Sequence, residues 1–329
     1  MNAQAHDHPY QQLEKWRNQN IDKFNSSNEQ LNHFHDVVMQ KVVAIALENI
    51  KSEWGIPPSE FSWFLMGSGG RYEQAILSDQ DHGLVYEDND HEAKTYFGVL
   101  GKEIASGLYY LGYPYCDGNV MSSNSVWCKS LGEWKNQIWQ WMEKESWESI
   151  RYLLIFYDAR VVVGKEEFVS DLKCLLYNYI DDNFHFFNRL LQNTLRIKKG
   201  LGFFNHFLVE ESGPYTGTIH IKEFGFFPYV NAIRLLAIKE KIVETSTLTR
   251  CEQLCQYPQY KEEIKRHQDN YQQLLAYRLM YSEQHKKYED VHYLDVKRLT
   301  LEQKKEVKKI LKEAIKLHHY VQRIIEKGC

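Results

Sequence analysis

Proline is scarce in this chain, with seven among 329 residues, and glycine reaches only 18. So few breakers exclude a loop-rich fold and point to long elements joined mostly by short loops. Long apolar runs are missing as well. Nowhere do about eighteen apolar residues follow one another, so no membrane-spanning helix is expected. The start, Met1 to Tyr10, is polar, contains His6 and His8 and leads into no apolar core, so no secretory signal is read there. Charge of one sign is also lacking. A net charge of −4 gives no global basic field, and nucleic acid is not an expected partner, although a local patch is not excluded. The six cysteines (116, 128, 174, 251, 255 and 329) contain no C-x-x-C pair, and Cys251 and Cys255 stand four apart with no second pair nearby. They read as reduced thiols of a cytoplasmic protein and not as a structural zinc site.

What is present is the material of a soluble globular protein. Hydrophobic residues at 43% and charged residues at 26% exclude a disordered chain, and the length suits two domains with a large core. Residues 1–25 read as a flexible leader with a short helix around Leu13 to Trp16. Ser26-Ser27-Asn28-Glu29 reads as a capping box. The spacing of Leu31, Phe34, Val38, Val42, Ile45 and Ile50 predicts a long amphipathic helix ending near Gly55 to Pro58. Phe61 to Met66 is a short buried strand, Gly83 to Tyr86 a second, and residues 93–111 a helix. A loop over 112–126, with at most one strand, precedes a Trp-rich helix from Leu131 to Trp147. Leu153 to Val163, closed by Gly164, reads as a third strand.

After Lys165 nearly everything has helical spacing: 166–180, 183–199, 226–242, 245–256, 259–283 and 300–327. The expected architecture is therefore α+β. A domain with a small mixed sheet spans 26–165 with its N-terminal helix, and an all-α helical bundle spans 166–329.

Chemistry concentrates in two segments. In Met66-Gly67-Ser68-Gly69-Gly70-Arg71-Tyr72-Glu73 a strand stops at glycines that allow close backbone approach, and a helix begins. Exposed N–H groups at such a turn suit phosphate oxygens, Ser68 adds a hydroxyl, and Arg71 offers a planar cationic fork. Taken alone, the segment is also what an ordinary strand-to-helix turn with surface Arg71 and Glu73 looks like. In Ser78-Asp79-Gln80-Asp81, residues two apart on an extended chain project to one side. Asp79 and Asp81 would then face each other as like charges, a conflict that a divalent cation resolves. A lone D-x-D is common in acidic loops; the ordered pair of segments is far more specific than either. A phosphate cradle followed by a carboxylate pair on adjacent strands is what nucleotidyl transfer from a nucleoside triphosphate requires.

Gly67 to Gln74 with Ser78-Asp79-Gln80-Asp81 resembles the DNA polymerase β-type nucleotidyltransferase superfamily. Within it, the resemblance is to the branch of bacterial PII-protein uridylyltransferases and their uncharacterised relatives, which often carry CBS domains and a helical C-terminal domain. Gly112 to Cys116, Met121, Asn124, Trp127, Leu131 to Trp134, Phe156 to Arg160 and Gly164 follow the same pattern. Ile221-Lys222, Gly225, Pro228, Ala232 to Ala237, Thr245 to Arg250 and Tyr277 to Leu279 extend it, so the likeness covers roughly 35–325.

The resemblance implies a Mg²⁺-dependent transferase, with Mn²⁺ as a substitute. It would move UMP or AMP from a nucleoside triphosphate to a hydroxyl of a protein or small molecule. Asp79 and Asp81 would bind the metal, with Asp158 as third carboxylate and Asp117 as its alternative; a structural salt bridge with an arginine is the other reading of Asp158. Gly67, Ser68, Gly70, Arg71, Glu73 and Ser78 would form the nucleotide cradle. The chain has no room for the HD phosphohydrolase and regulatory domains of authentic uridylyltransferases, and His35-Asp36 lacks the partners of an HD metal site.

In the helical half, Lys222 reads as a solvated lysine or, more sharply, as the basic residue that reaches a nucleotide, and Arg234 on an apolar helix needs a partner, in an ion pair or an acceptor. The lysines at 304, 305, 308, 309, 312 and 316 read as a solvated helix face, with docking of nucleic acid or an acidic partner as the sharper alternative. Trp134, Trp139, Trp141 and Trp147 read as core and interface packing. Two other functions compete with an active enzyme: a catalytically silent nucleotide-binding regulator, and an interaction scaffold. The intact S-D-x-D favours turnover over sensing.

Overall fold

The computed structural model describes residues 8–183, 185–282 and 285–327. His6 and Cys329 lie outside them. The chain forms two units: one of residues up to Gln140 together with Ile155–Leu175, the other of Trp141–Leu154 together with the residues from Leu176 on.

The first unit begins with α1 (Pro9–Asn20), so much of the expected leader is a helix. It buries Tyr10, Leu13 and Arg17, and the Arg17 guanidinium lies 5.1 Å from the centre of the Tyr113 ring. The long helix α2 (Asn28–Trp54) starts where Ser27 accepts a hydrogen bond from the N–H of Gln30 at 3.2 Å, and ends at Gly55 with φ +76°. β1 (Phe61–Leu65) then runs into the one-turn helix α3 (Gly67–Gly70), followed by β2 (His82–Tyr86), α4 (His91–Tyr110), β3 (Cys128–Ser130) and α5 (Leu131–Lys144). After α6 (Trp147–Tyr157) come β4 (Arg160–Gly164) and α7 (Glu166–Asp182).

The sheet order is β3-β2-β1-β4, with β1 antiparallel to both of its neighbours and β2 parallel to β3. It is the small mixed sheet expected. β1 sits at its centre because both faces are apolar. Phe61, Trp63 and Leu65 lie opposite Tyr86, Leu84 and His82, and Phe97 of α4 stacks on Tyr86 with ring centres 4.6 Å apart. On the other face Phe64 meets Trp134 of α5 at 5.8 Å and Phe156 of α6 at 6.0 Å. Trp134 also donates its indole N–H to the carbonyl of Leu84 at 3.0 Å.

The expected strand from Leu153 to Val163 is corrected. Residues up to Tyr157 belong to α6, the chain turns at Asp158-Ala159, and only Arg160–Gly164 is strand. Buried Ile150, Leu153, Leu154 and Tyr157 recur at helical spacing, which a short apolar run conceals. The Trp-rich helix is also shorter than expected, because Glu145 at φ +47° separates α5 from α6. Of the four tryptophans named above, Trp134 is fully buried, whereas Trp139 and Trp147 are exposed and not core.

The second unit is helical: α8 (His185–Gln192), α9 (Phe227–Lys239), α10 (Thr247–Leu254), α11 (Lys261–Met280) and α12 (Leu301–Lys327). α9 packs against α10 and α12, and α11 against the same two. The bundle is not purely α. β5 (Thr218–His220) pairs antiparallel with β6 (Tyr293–Asp295), and Tyr215 stacks on Tyr293 at 3.8 Å. Three-residue strands give too little period-two signal to be read. The expected helix over 183–199 ends at Gln192, and the chain continues irregularly with one bridge between Leu201 and Phe207. No helix among the described residues is long and apolar enough to cross a membrane.

Candidate functional site

At the end of β1 the chain must leave the sheet, and Gly67 makes this turn with φ +53°. The N–H of Met66 bonds to the carbonyl of Asp81 at 2.8 Å, which sets Gly67 directly against the Asp81 side chain. A Cβ on Gly67 would stand 2.1 Å from Oδ2 of Asp81, so any larger residue would have to push that carboxylate aside. α3 follows as a single turn, closed by hydrogen bonds from Gly70 N–H to Met66 and from Arg71 N–H to Gly67. As at any helix start, the leading N–H groups, here those of Gly67, Ser68 and Gly69, have no intrahelical acceptor. Gly67 and Ser68 are half-buried, whereas Gly69 and Gly70 are buried.

Gly70 is held from below. A Cβ on it would meet the main-chain oxygen of Asp158 at 2.1 Å. Arg71 does not point to solvent: its Nε donates to Glu73 at 2.8 Å and its Nη1 to Asp158 at 2.7 Å. The guanidinium side chain is 11% exposed and the two carboxylates 4% and 0%, so this is a buried, charge-assisted clamp on the turn. Arg160 adds a second tie. Its Nε donates to the carbonyl of Gly69, its guanidinium pairs with Asp36 of α2, and it covers the Tyr72 ring at 3.7 Å. From α2, Asn28 donates to the carbonyl of Tyr72 at 2.7 Å and Asn32 accepts from the N–H of Gln74 at 2.8 Å. His35, fully buried, donates Nε2–H to the carbonyl of Ala75 and accepts from the Tyr113 hydroxyl, which assigns its neutral tautomer. Burial above all, with the Arg17 charge, brings its pKa down to about 3. His35-Asp36 thus serves the packing of the turn.

Asp79-Gln80-Asp81 is the extended lead-in to β2. Gln80 is buried and its side chain donates to the carbonyls of Ala105 and Tyr113, while Asp79 and Asp81 on the opposite side stay half-buried. The two carboxylates converge with the thiol of Cys116: one ligand atom from each residue lies within 4.8 Å of the others. This is the one such group of three or more among the described residues, and two carboxylates with a thiol are a donor set that fits a divalent cation. Burial first, then the neighbouring carboxylates of Asp81 and Asp79, push the Cys116 thiol well above the usual thiol range.

Several expected site residues are placed elsewhere. Asp158 is not in the carboxylate group. Its side chain pairs with Arg71, because the turn after α6 delivers it beneath α3. Asp117, its alternative, is exposed. Ser78 is 2% exposed, and its hydroxyl accepts from Gln74 and donates to the carbonyl of Asp79, so it secures the lead-in from inside. Lys222 belongs to the second unit, where it opens a π-helical stretch, Lys222–Phe226. Its ammonium donates to the Tyr288 hydroxyl at 3.2 Å and lies 3.3 Å from Nε2 of His292, whose pKa burial and the Lys222 charge lower to about 3. Arg234 is nearly buried and donates to Asn231 at 3.0 Å. Lys305, Lys308, Lys309 and Lys312 line a cavity of about 350 Å³ on the outer side of α12, whose Val307, Ile310, Leu311 and Ala314 are buried.

Cys116 is the site residue that sequence reasoning missed. It lies 35 residues beyond Asp81, and no spacing rule links the two. A weaker signal existed in its surroundings, since Pro114 and Gly118 mark a tight loop around it.

Two family models match the chain. Residues 12–148 match the model described as "Putative nucleotidyltransferase DUF294", and residues 184–325 match that described as "Putative nucleotidyltransferase substrate binding domain". No curated protein matches the chain.

Proposed function

We propose, from the matches of residues 12–148 and 184–325 to these two models, that the chain is a nucleotidyltransferase moving UMP or AMP from a nucleoside triphosphate to a hydroxyl. The acceptor is a protein, of the kind that PII uridylyltransferases modify, or a small molecule, and the reaction belongs to the cytoplasm. The observation that carries this reading is the convergence of Asp79 and Asp81 beside a half-exposed glycine turn, where a Cβ on Gly67 would displace the Asp81 carboxylate.

The proposed roles divide by distance from that point. Asp79 and Asp81 hold Mg²⁺, for which Mn²⁺ can substitute. When bound, the cation offsets charge on the triphosphate and acidifies the acceptor hydroxyl for in-line attack on the α-phosphorus. Gly67 and Ser68 orient phosphate oxygens through main-chain N–H groups and the Ser68 hydroxyl. Gly70, Arg71, Glu73 and Asp158 keep the turn rigid, so that those donors need no reorganisation when substrate arrives. Ser78 steadies Asp79 through its carbonyl. In the second unit, Lys222 is the proposed cationic contact for substrate.

The test incubates the purified chain with each α-labelled nucleoside triphosphate and Mg²⁺, with and without cell lysate, beside Asp79→Asn/Asp81→Asn. Label on a lysate protein or metabolite, absent with the double variant, is the expected result and names the base. Failure of every triphosphate to label anything, with nucleotide binding intact, would move the assignment to a silent regulator.

A further inference from the structure

We propose that Cys116 completes the Asp79–Asp81 pair as a site for a thiophilic divalent cation of the Zn²⁺ type, with its sulfur as the third protein ligand. The proposal rests on the reading of the two carboxylates as a cation site, and adds a ligand that makes the site choose between cations.

The thiol is delivered to the pair by a built loop. Gln80 N–H bonds to the carbonyl of Pro114 at 3.2 Å and His82 N–H to that of Val120 at 3.0 Å. These two bonds bracket Asp81 on one segment and Cys116 on the other, so the segments cannot slide past each other. Between them the chain reverses in a tight turn, in which Asn119 N–H bonds to the carbonyl of Cys116 at 2.9 Å and Asn119 takes φ +53°. The Gln80 side-chain amide donates to the carbonyl of Tyr113, and the Tyr113 hydroxyl bonds to His35, which fixes the near end of the loop to the core. The other cysteines with a described thiol contact have different partners: Cys128 meets the carbonyl of Phe97 and Cys255 that of Lys261.

Donor chemistry sets the preference. Mg²⁺ takes oxygen ligands in near-octahedral geometry at roughly 2.0–2.1 Å and gains little from sulfur. Zn²⁺ accepts a mixed set, with sulfur at about 2.3 Å and carboxylate oxygen at about 2.0–2.2 Å, and three protein ligands leave its fourth position open. Three donors within 4.8 Å of one another need only small side-chain rotations to meet around such an ion. Gly67, lacking a Cβ, leaves the Asp81 side of the site unobstructed. Without the cation the thiol lies beside the Asp81 carboxylate. On binding, the S–H bond is replaced by a sulfur–metal bond, and the proton leaves to solvent with no change of oxidation state. Mg²⁺ and the thiophilic ion would then compete for the same two carboxylates, and Cys116 would favour the second.

Co²⁺, a spectroscopic stand-in for Zn²⁺, tests this on the full chain. Titration is expected to give visible ligand-field bands together with a near-ultraviolet thiolate-to-Co²⁺ charge-transfer band, with one proton released per ion. Cys116→Ser should lose the charge-transfer band and the released proton while keeping ligand-field bands, and should weaken Zn²⁺ binding without changing Mg²⁺ binding. Ligand-field bands without charge transfer in the wild type, or charge transfer that survives in Cys116→Ser, would overturn the thiol ligand and leave the carboxylate site standing. Absence of both bands would sink the carboxylate site itself.

Discussion

Gly67→Ala separates backbone strain from loss of the site. Gly67 has φ +53°, where an alanine costs about 1–2 kcal/mol relative to its preferred conformations. At about 2–4 °C per kcal/mol for a unit of roughly 160 residues, the melting temperature should fall by about 2–8 °C. The new methyl also starts 2.1 Å from Asp81 Oδ2, and ordinary contact begins at 3.4 Å. Because the obstacle is a side chain, the carboxylate can swing aside, so folding survives and the pair is split. Cation affinity should then drop at least about tenfold, which is ~1.4 kcal/mol. Gly98→Ala is the control: it lies within α4, its added methyl would have no heavy atom within 4 Å, and it should be neutral or stabilising by about 0.5–1 kcal/mol. Thermal unfolding and calorimetric titration with Mn²⁺ read both quantities. If Gly67→Ala loses stability as expected but binds Mn²⁺ as the wild type does, Asp81 is not a ligand and the site has been misassigned.

Three further outcomes follow from the surroundings of the turn. His35 stays neutral in the folded chain down to about pH 3, while the unfolded chain protonates it near 6.5. The folded state therefore binds fewer protons below pH 6.5, and stability is lost as pH falls, by at most about 1.4 kcal/mol per pH unit. His35→Gln should flatten the change in urea midpoint between pH 7 and pH 5, and equal slopes would refute the assignment. Arg71→Met leaves the buried carboxylates of Glu73 and Asp158 without their shared cation and should cost about 3–5 kcal/mol in denaturant unfolding. Arg71→Lys should recover part of that loss, and an unchanged midpoint in Arg71→Met would show that the clamp contributes nothing. Asp79→Asn/Asp81→Asn, by contrast, should abolish transfer with little change in melting temperature, since both side chains are half-buried beside another carboxylate.

The sheet and the turn were legible because their signals are local. Phe61 to Met66 stops at glycines, Ser27 stands one residue before a long periodic helix, and Gly83 to Tyr86 is apolar on both faces. The facing of Asp79 and Asp81 follows from their spacing of two, with Gln80 buried on the other side. What could not be read depends on contacts distant in sequence. Leu153 to Tyr157 is apolar whether helix or strand, and only the surrounding core decides. That choice also decided Asp158, because a turn aims its carboxylate at Arg71. Cys116 reaches the carboxylates through the main-chain pairing of Pro114 and Val120 with the lead-in to β2, which leaves no trace in residue type. β5 and β6 stabilise each other across more than seventy residues and are too short to show alternation.

The position of β4 bears on how the chain can be cut. β1 gains its second neighbour only when residues 160–164 are present, nearly a hundred positions after its own end. A piece that stops at 148, where the transferase match ends, would hold Gly67, Asp79 and Asp81 yet lack Asp158 and Arg160. It would also expose one edge of Phe-Ser-Trp-Phe-Leu, an uncharged and proline-free stretch well suited to pairing with a second copy of itself. Such a fragment should aggregate during expression, and any minimal version of the first unit has to run to Gly164 or beyond. A nascent chain on the ribosome faces the same interval, with its central strand half-clothed until β4 emerges.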